Sequence, residues 1–275
     1  MYEEPYRWIE AVGNRRQYLD EQFKQGSPVV ALSCDEGIVL VSASRGTPKL
    51  YEIYDRIALG GMGHPADLEK LRFQLLDMAH LEGFTRSPSD VTGARLLKNG
   101  LAPTVKQAFE EIFKAPFIAK ILLAELGATR EKDRFLTIDY DGTFEETNIC
   151  SLLAGTRAIH TPLFDELRNR IGASVPSLKE GIDMAVRVWA KGSLLHTTIS
   201  SDANSHEIPA EGQEKGESMP DFDDEDVQRH ARQQFADVTL ECSLIDRRLS
   251  GSSKYRVLSD DEVTRLLPPA LQPVR

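Results

Sequence analysis

Several stretches of this chain carry residue types that could do chemistry, and their spacing decides which chemistry is open to them. Gly60, Gly61 and Gly63 stand just ahead of His64-Pro65-Ala66-Asp67, a helix start, and a glycine-rich turn at a helix N-terminus can hold phosphate on its backbone amides. The stretch lacks both the closing Gly-Lys-Ser/Thr of a nucleotide loop and the spacing of a dinucleotide fingerprint. Its glycines are therefore expected to serve a strand-to-helix turn. Cys34, Cys150 and Cys242 are odd in number and too far apart for metal-ligand spacing, which fits reduced, packed thiols. His64, His80 and His160 are isolated, with no pair at a helical metal-binding interval, and read as cap, surface or packing residues. The run Asp221, Asp223, Asp224, Glu225, Asp226 could gather a cation, but a solvated linker accounts for it more simply. Arg15-Arg16 suits either a neighbour's surface or solvent. Lys49, taken by itself, is an exposed or salt-bridged residue at the head of a strand. No cofactor and no metal is expected.

Composition narrows the classes further. The 275 residues are 41% hydrophobic and 28% charged, enough to bury a sizeable core. A net charge of −10 argues against general nucleic-acid binding, which wants a basic face. No apolar run approaches the roughly 18 to 20 residues that span a bilayer. The longest, residues 117–126, is broken by Lys120 and Glu125. The polar, acidic start MYEEPYRW does not read as a signal peptide, so a cytoplasmic location is expected.

The elements that must position these residues follow from local pattern. Pro5 opens a helix over residues 5–24 with Trp8, Ile9, Val12, Leu19 and Phe23 as its apolar positions, and Gly26 ends it. Residues 28–33 and 38–44 read as a hairpin about Cys34-Asp35-Glu36-Gly37, and 49–54 with 56–61 as a second strand pair. Helices are expected over 64–82 and from Ser89 or Asp90 to 113, the latter bent near Gly100 and Pro103. Strands return at 118–126, 135–140 and 148–154, with a short run after the Asp141-Gly142 turn. Helices follow at 161–171 and 177–191. Residues 200–226 are polar and acidic and are expected to form a disordered insertion. Strands at 237–245 and 254–257, a helix over 260–267 and a Pro-rich tail over 268–275 complete the chain. The order suits an α+β fold, two sheets sandwiched between helical layers, rather than alternating βαβ units.

Several local sequences, taken in order, resemble the proteasome subunit family. Gly26-Ser27-Pro28-Val29-Val30-Ala31-Leu32 is similar to its opening strand, and Asp35-Glu36-Gly37-Ile38-Val39-Leu40-Val41-Ser42 to its second. Lys49-Leu50-Tyr51-Glu52-Ile53-Tyr54-Asp55-Arg56-Ile57 with Gly60-Gly61-Met62-Gly63 resembles the block before the first long helix. Tyr54-Asp55-Arg56-Ile57, Asp90-Val91-Thr92-Gly93 and Tyr140-Asp141-Gly142 are most like the α subunits of actinobacterial proteasomes. The likeness spans about residues 5–195 and 236–267. It implies a four-layer αββα sandwich of two antiparallel sheets, the N-terminal-nucleophile hydrolase fold. Within it, residues 1–26 would be a gate segment and helix, and 27–267 the subunit domain. There are two departures. Met1-Tyr2-Glu3-Glu4-Pro5-Tyr6 replaces the gate sequence of archaeal and eukaryotic α subunits, as in the actinobacterial type, and the insertion at 200–226 is longer than the family leads one to expect.

The resemblance also carries roles. In catalytic β subunits of the family a freed N-terminal threonine is the nucleophile and its own amine the base, with a lysine and an acid nearby. The matching positions here hold Ser27, Lys49 and Ala43. One reading is a self-processed peptidase cut after Gly26 and using Ser27. Against it stand serine in place of threonine, Pro28 beside the cut, no carboxylate in residues 39–44, and an amphipathic helix in front. The leading expectation is a non-catalytic α-type subunit: a heptameric ring of this chain, stacked on catalytic β subunits, that admits unfolded protein substrates. In that role the resemblance places Lys49 in a pocket that pairs with the C-terminal carboxylate of an AAA ATPase ring activator.

Overall fold

A computed structural model describes residues 4–24, 26–111, 113–172, 174–203, 220 and 222–272. Helix α1 (Glu4–Phe23) leads into strands β1 (Val29–Ser33), β2 (Gly37–Ser44), β3 (Leu50–Tyr54) and β4 (Ile57–Gly63). Then come α2 (Pro65–Thr85), α3 (Gly93–Arg95), a π-helical segment (Leu96–Leu101) and α4 (Ala102–Glu110). Strands β5 (Ala119–Glu125), β6 (Arg134–Ile138), β7 (Phe144–Thr147) and β8 (Cys150–Leu153) precede α5 (Arg157–Ile171), α6 (Leu178–Ala203) and α7 (Asp224–Gln234). β9 (Thr239–Asp246), β10 (Tyr255–Val257) and α8 (Asp260–Leu266) follow.

The strands make two five-stranded antiparallel sheets, ordered β10-β9-β2-β1-β8 and β3-β4-β5-β6-β7. Each central strand is apolar on both faces, because one face meets helices and the other meets the second sheet. In β1, Val30 and Leu32 pack toward α5 and α6, while Val29 and Ala31 point into the space between the sheets. In β5, Ile121 and Leu123 face α2, α3 and α4, and Leu122 and Ala124 face inward. This period-two division of near-continuous apolar strands is what stacks four layers, and it is the αββα sandwich expected.

Of the glycines at 60–63 only Gly63 serves the strand-to-helix turn expected, while Gly60 and Gly61 lie within β4, where close packing leaves no room for a side chain. A Cβ on Gly60 would lie 2.5 Å from Val29 Cγ1, where the sheets cross closely. Gly63 has φ +135 and lies against the Ile118 carbonyl, a conformation side chains resist. His64 caps α2 by accepting from the Ala66 amide at 3.3 Å.

Helix α1 is built into the fold. Leu19 and Phe23 are fully buried in the core between the sheets, each contributing about 1.5–3 kcal/mol of burial. Tyr140 donates to Asp20 Oδ1 at 2.6 Å. Arg15 donates to the carbonyls of Ala108, Phe109, Glu111 and Lys114, satisfying the C-terminal end of α4, and Arg16 pairs with Asp141 at 3.3 Å. Both arginines thus have partners within the chain.

Elsewhere the structure departs from the sequence reading. The bend expected near Gly100 and Pro103 is the π-helical segment, where the Ala102 amide donates to the Leu97 carbonyl. The helix ends at Glu110, and Phe113 lies beyond it, fully exposed. Strand 148–154 begins only at Cys150, because Ile149 takes φ +74 as the chain passes from one sheet to the other. Of the insertion predicted over 200–226, residues 204–219 and 221 lie outside the described residues. Its ends are helical: α6 runs on through Ala203, and Asp223 caps α7 by accepting from the Asp226 amide at 2.8 Å. Asp224, Glu225 and Asp226 thus belong to a helix's first turn, where negative charge is favoured, rather than to a loop. In the Pro-rich tail, Pro269–Leu271 form a 3-10 turn that buries Leu271; residues 273–275, like residues 1–3 of the expected gate segment, lie outside the described residues.

Candidate functional site

Ser27, Ala43 and Lys49 converge on one cavity of about 550 Å³. Antiparallel pairing of β1 with β2 sets the start of β1 beside the end of β2, so Ser27 and Ala43 become neighbours. The turn through Arg45, Thr47 and Pro48 then carries the chain from one sheet to the other and brings Lys49 to the same opening. The facing wall is a single stripe of α6. Trp189, Ser193, His196 and Thr197 are spaced to share one side of that helix.

Ser27 is half-buried, and its Oγ accepts a hydrogen bond from Trp189 Nε1 at 2.9 Å. An indole N–H only donates, so this partner cannot withdraw the serine proton. The Ser27 nitrogen lies in the peptide bond to Gly26, whose own amide donates to the Phe23 carbonyl at 2.9 Å. In the uncut chain the segment running back to buried Phe23 thus covers the Ser27 nitrogen, and only cleavage after Gly26 would free it. His196 does not substitute for it. Its Nε2 accepts from the Gly155 amide at 3.2 Å, its ring also hydrogen-bonds the Lys24 backbone, and burial lowers its pKa. Ala43 is buried and supplies no carboxylate.

Lys49 is half-buried at the cavity wall, and burial lowers its pKa to about 8 despite the attraction of Glu241, with Arg45 adding to the depression. Glu241 directs Oε2 instead to the backbone amides of Lys49 at 2.8 Å and Leu50 at 3.3 Å. It therefore fixes the start of β3 and leaves the ammonium unpaired. Among the described residues no carboxylate lies within 4 Å of the Lys49 ammonium or the Arg45 guanidinium. Two cations at an open cavity without a counter-charge would attract an anion.

Sequence reasoning named Lys49 but not Glu241, Arg45, Trp189 or His196. Glu241 lies 192 residues away on β9 and reaches Lys49 only because that strand pairs with β2. For Trp189 and His196 a signal was present, since polar and aromatic residues at helical spacing line one face of α6. Among the described residues no three His, Cys, Asp or Glu side chains come together to hold a metal ion, and no helix is long and apolar enough to cross a membrane.

A family model described as proteasome subunit matches residues 23–192. A Proteasome subunit alpha of Streptomyces avermitilis is 28% identical over 265 residues, covering 95% of this chain and 88% of the relative. A Proteasome subunit alpha of Streptomyces coelicolor is 30% identical over 260 residues, covering 94% and 87%. A third of the same name, from Acidothermus cellulolyticus, is 30% identical over 182 residues, covering 66% and 76%.

Proposed function

The chain belongs to the proteasome subunit family, and from that membership we propose that it is a non-catalytic α-type subunit of a proteasome core. Copies of it would form a seven-membered ring that stacks on catalytic β subunits and controls the passage of unfolded protein. An AAA ATPase ring would dock its C-terminal carboxylates on Lys49, and the assembly would work in the cytoplasm. The observation that carries this reading is the state of the cavity. Alanine stands where an acid would orient the lysine, an indole N–H rather than a base meets the Ser27 oxygen, and a cation is left free beside it. A scaffold shaped like an active site thus offers electrostatic anchoring instead of bond cleavage.

The test is direct. The purified full chain is incubated with fluorogenic short peptides, and its intact mass is measured. No peptide hydrolysis is expected, Ser27→Ala changes nothing, and the mass includes residues 1–26. A mature chain beginning at Ser27, with activity that Ser27→Ala abolishes, would establish the self-processed peptidase instead.

A further inference from the structure

The cavity combines three features that matter beyond docking. Among the described residues Lys49 lines it with an unpaired amine, Arg45 stands at the same cavity as a second unpaired cation and is itself exposed, and no acidic side chain lines the wall. An amine in this setting can be approached by a small anion carrying an electrophilic carbon. We propose that Lys49 is a modification site for acyl phosphates, small anionic acyl donors gathered by Arg45, and that acylation there abolishes carboxylate docking. The first part stands on the cavity alone, while the regulatory part rests on the docking role of Lys49.

The step balances without further reagents. The neutral Lys49 amine attacks the acyl carbon, a C–N bond forms, and the acyl C–O bond to phosphorus breaks. Inorganic phosphate leaves with the bonding electron pair, and the nitrogen loses one proton to solvent. The product is an uncharged amide, which can no longer pair with a carboxylate. Burial favours the reactive form, since an amine titrating at about 8 is neutral at pH 7.5 far more often than an ordinary lysine. Two exposed lysines serve as references: Lys106 and Lys114 each sit in an ion pair, with Glu110 and Glu111.

Full-length protein is treated with acetyl phosphate at pH 7.5, and initial acetylation rates are read by peptide mass spectrometry. Lys49 is expected to react at least tenfold faster than Lys106 and Lys114, an advantage lost in urea. Its rate should fall about tenfold per pH unit below pH 7, as the amine protonates. Arg45→Ala should slow Lys49 more with acetyl phosphate than with uncharged acetic anhydride. Equal rates at the three lysines, or a preference that persists in urea, overturn the site. A labelled peptide with a free C-terminal carboxylate, with its amide as control, then reads docking. Loss of binding on acetylation supports the regulatory half. Selective acetylation with unchanged binding overturns that half and the docking role of Lys49 together. Unselective acetylation with binding lost in Lys49→Met leaves the docking role standing and removes only the acylation site.

Discussion

At Lys49 a positive charge is kept half-buried while the nearby carboxylate, Glu241, is turned to backbone amides. Folding therefore has to desolvate an ammonium with little compensation, which destabilises the isolated chain. Lys49→Met should raise its unfolding free energy at pH 7 by about 1–3 kcal/mol, measured by urea denaturation. The lysine titrates at about 8 when folded and at 10.5 otherwise, so the unfolded chain holds more protons between those values. The penalty is complete below pH 8 and fades toward pH 10.5, and the advantage of the Met variant should shrink across that window. On the docking role proposed for Lys49, carboxylate binding should be full below pH 8 and weaken above it as the amine loses its charge. A Met variant no more stable than wild type at pH 7 would show that the charge is solvated in the folded chain.

Among the elements, α1 is tied to α4 through Arg15, which reaches the carbonyls of Ala108, Phe109, Glu111 and Lys114. Arg15→Met leaves those carbonyls to find water, at about 1–3 kcal/mol, and should speed amide hydrogen exchange in the last turn of α4 while leaving α2 unchanged. Unaltered exchange in α4 would mean the contact is incidental. How far such elements could be read in advance depended on where their signal lay. The strand at 29–33, the hairpin turn at Gly37 and the cap at His64 are local events, and the residues announce them. Helix α7 was hidden because the charges of Asp223 to Asp226 look like a solvated run. Only the cap at Asp223 followed by Val227, His230 and Ala231 on one buried face marks a helix. The Ser27–Lys49 convergence was legible through family likeness, since their strands lie in different sheets. The Glu241 contact depended on the pairing of β9 with β2 and had no local trace.

Over the whole molecule, large apolar side chains stand exposed on two outer helices: Trp8, Ile9 and Tyr18 on α1, and Phe73, Leu81 and Phe84 on α2. Such surface suits a subunit that buries it against neighbours. Replacing Leu81 and Phe84 on α2 by serine should leave the monomer's melting temperature nearly unchanged, since neither packs in the core. Native mass spectrometry of the chain, alone and with a β subunit, should show weaker assembly. Assembly equal to wild type would exclude that face from the contacts.

The bond from Trp189 to Ser27 has an optical consequence. The chain has two tryptophans. Trp8 is 46% exposed, whereas Trp189 is 1% exposed and stacked on Phe235 at 5.8 Å. Their emission should separate, the buried indole glowing at shorter wavelength than the one in water. Trp8→Phe leaves a single fluorophore whose N–H rests on the cavity wall, so anything that enters and disturbs Ser27 should shift the colour or intensity of that light without an added label.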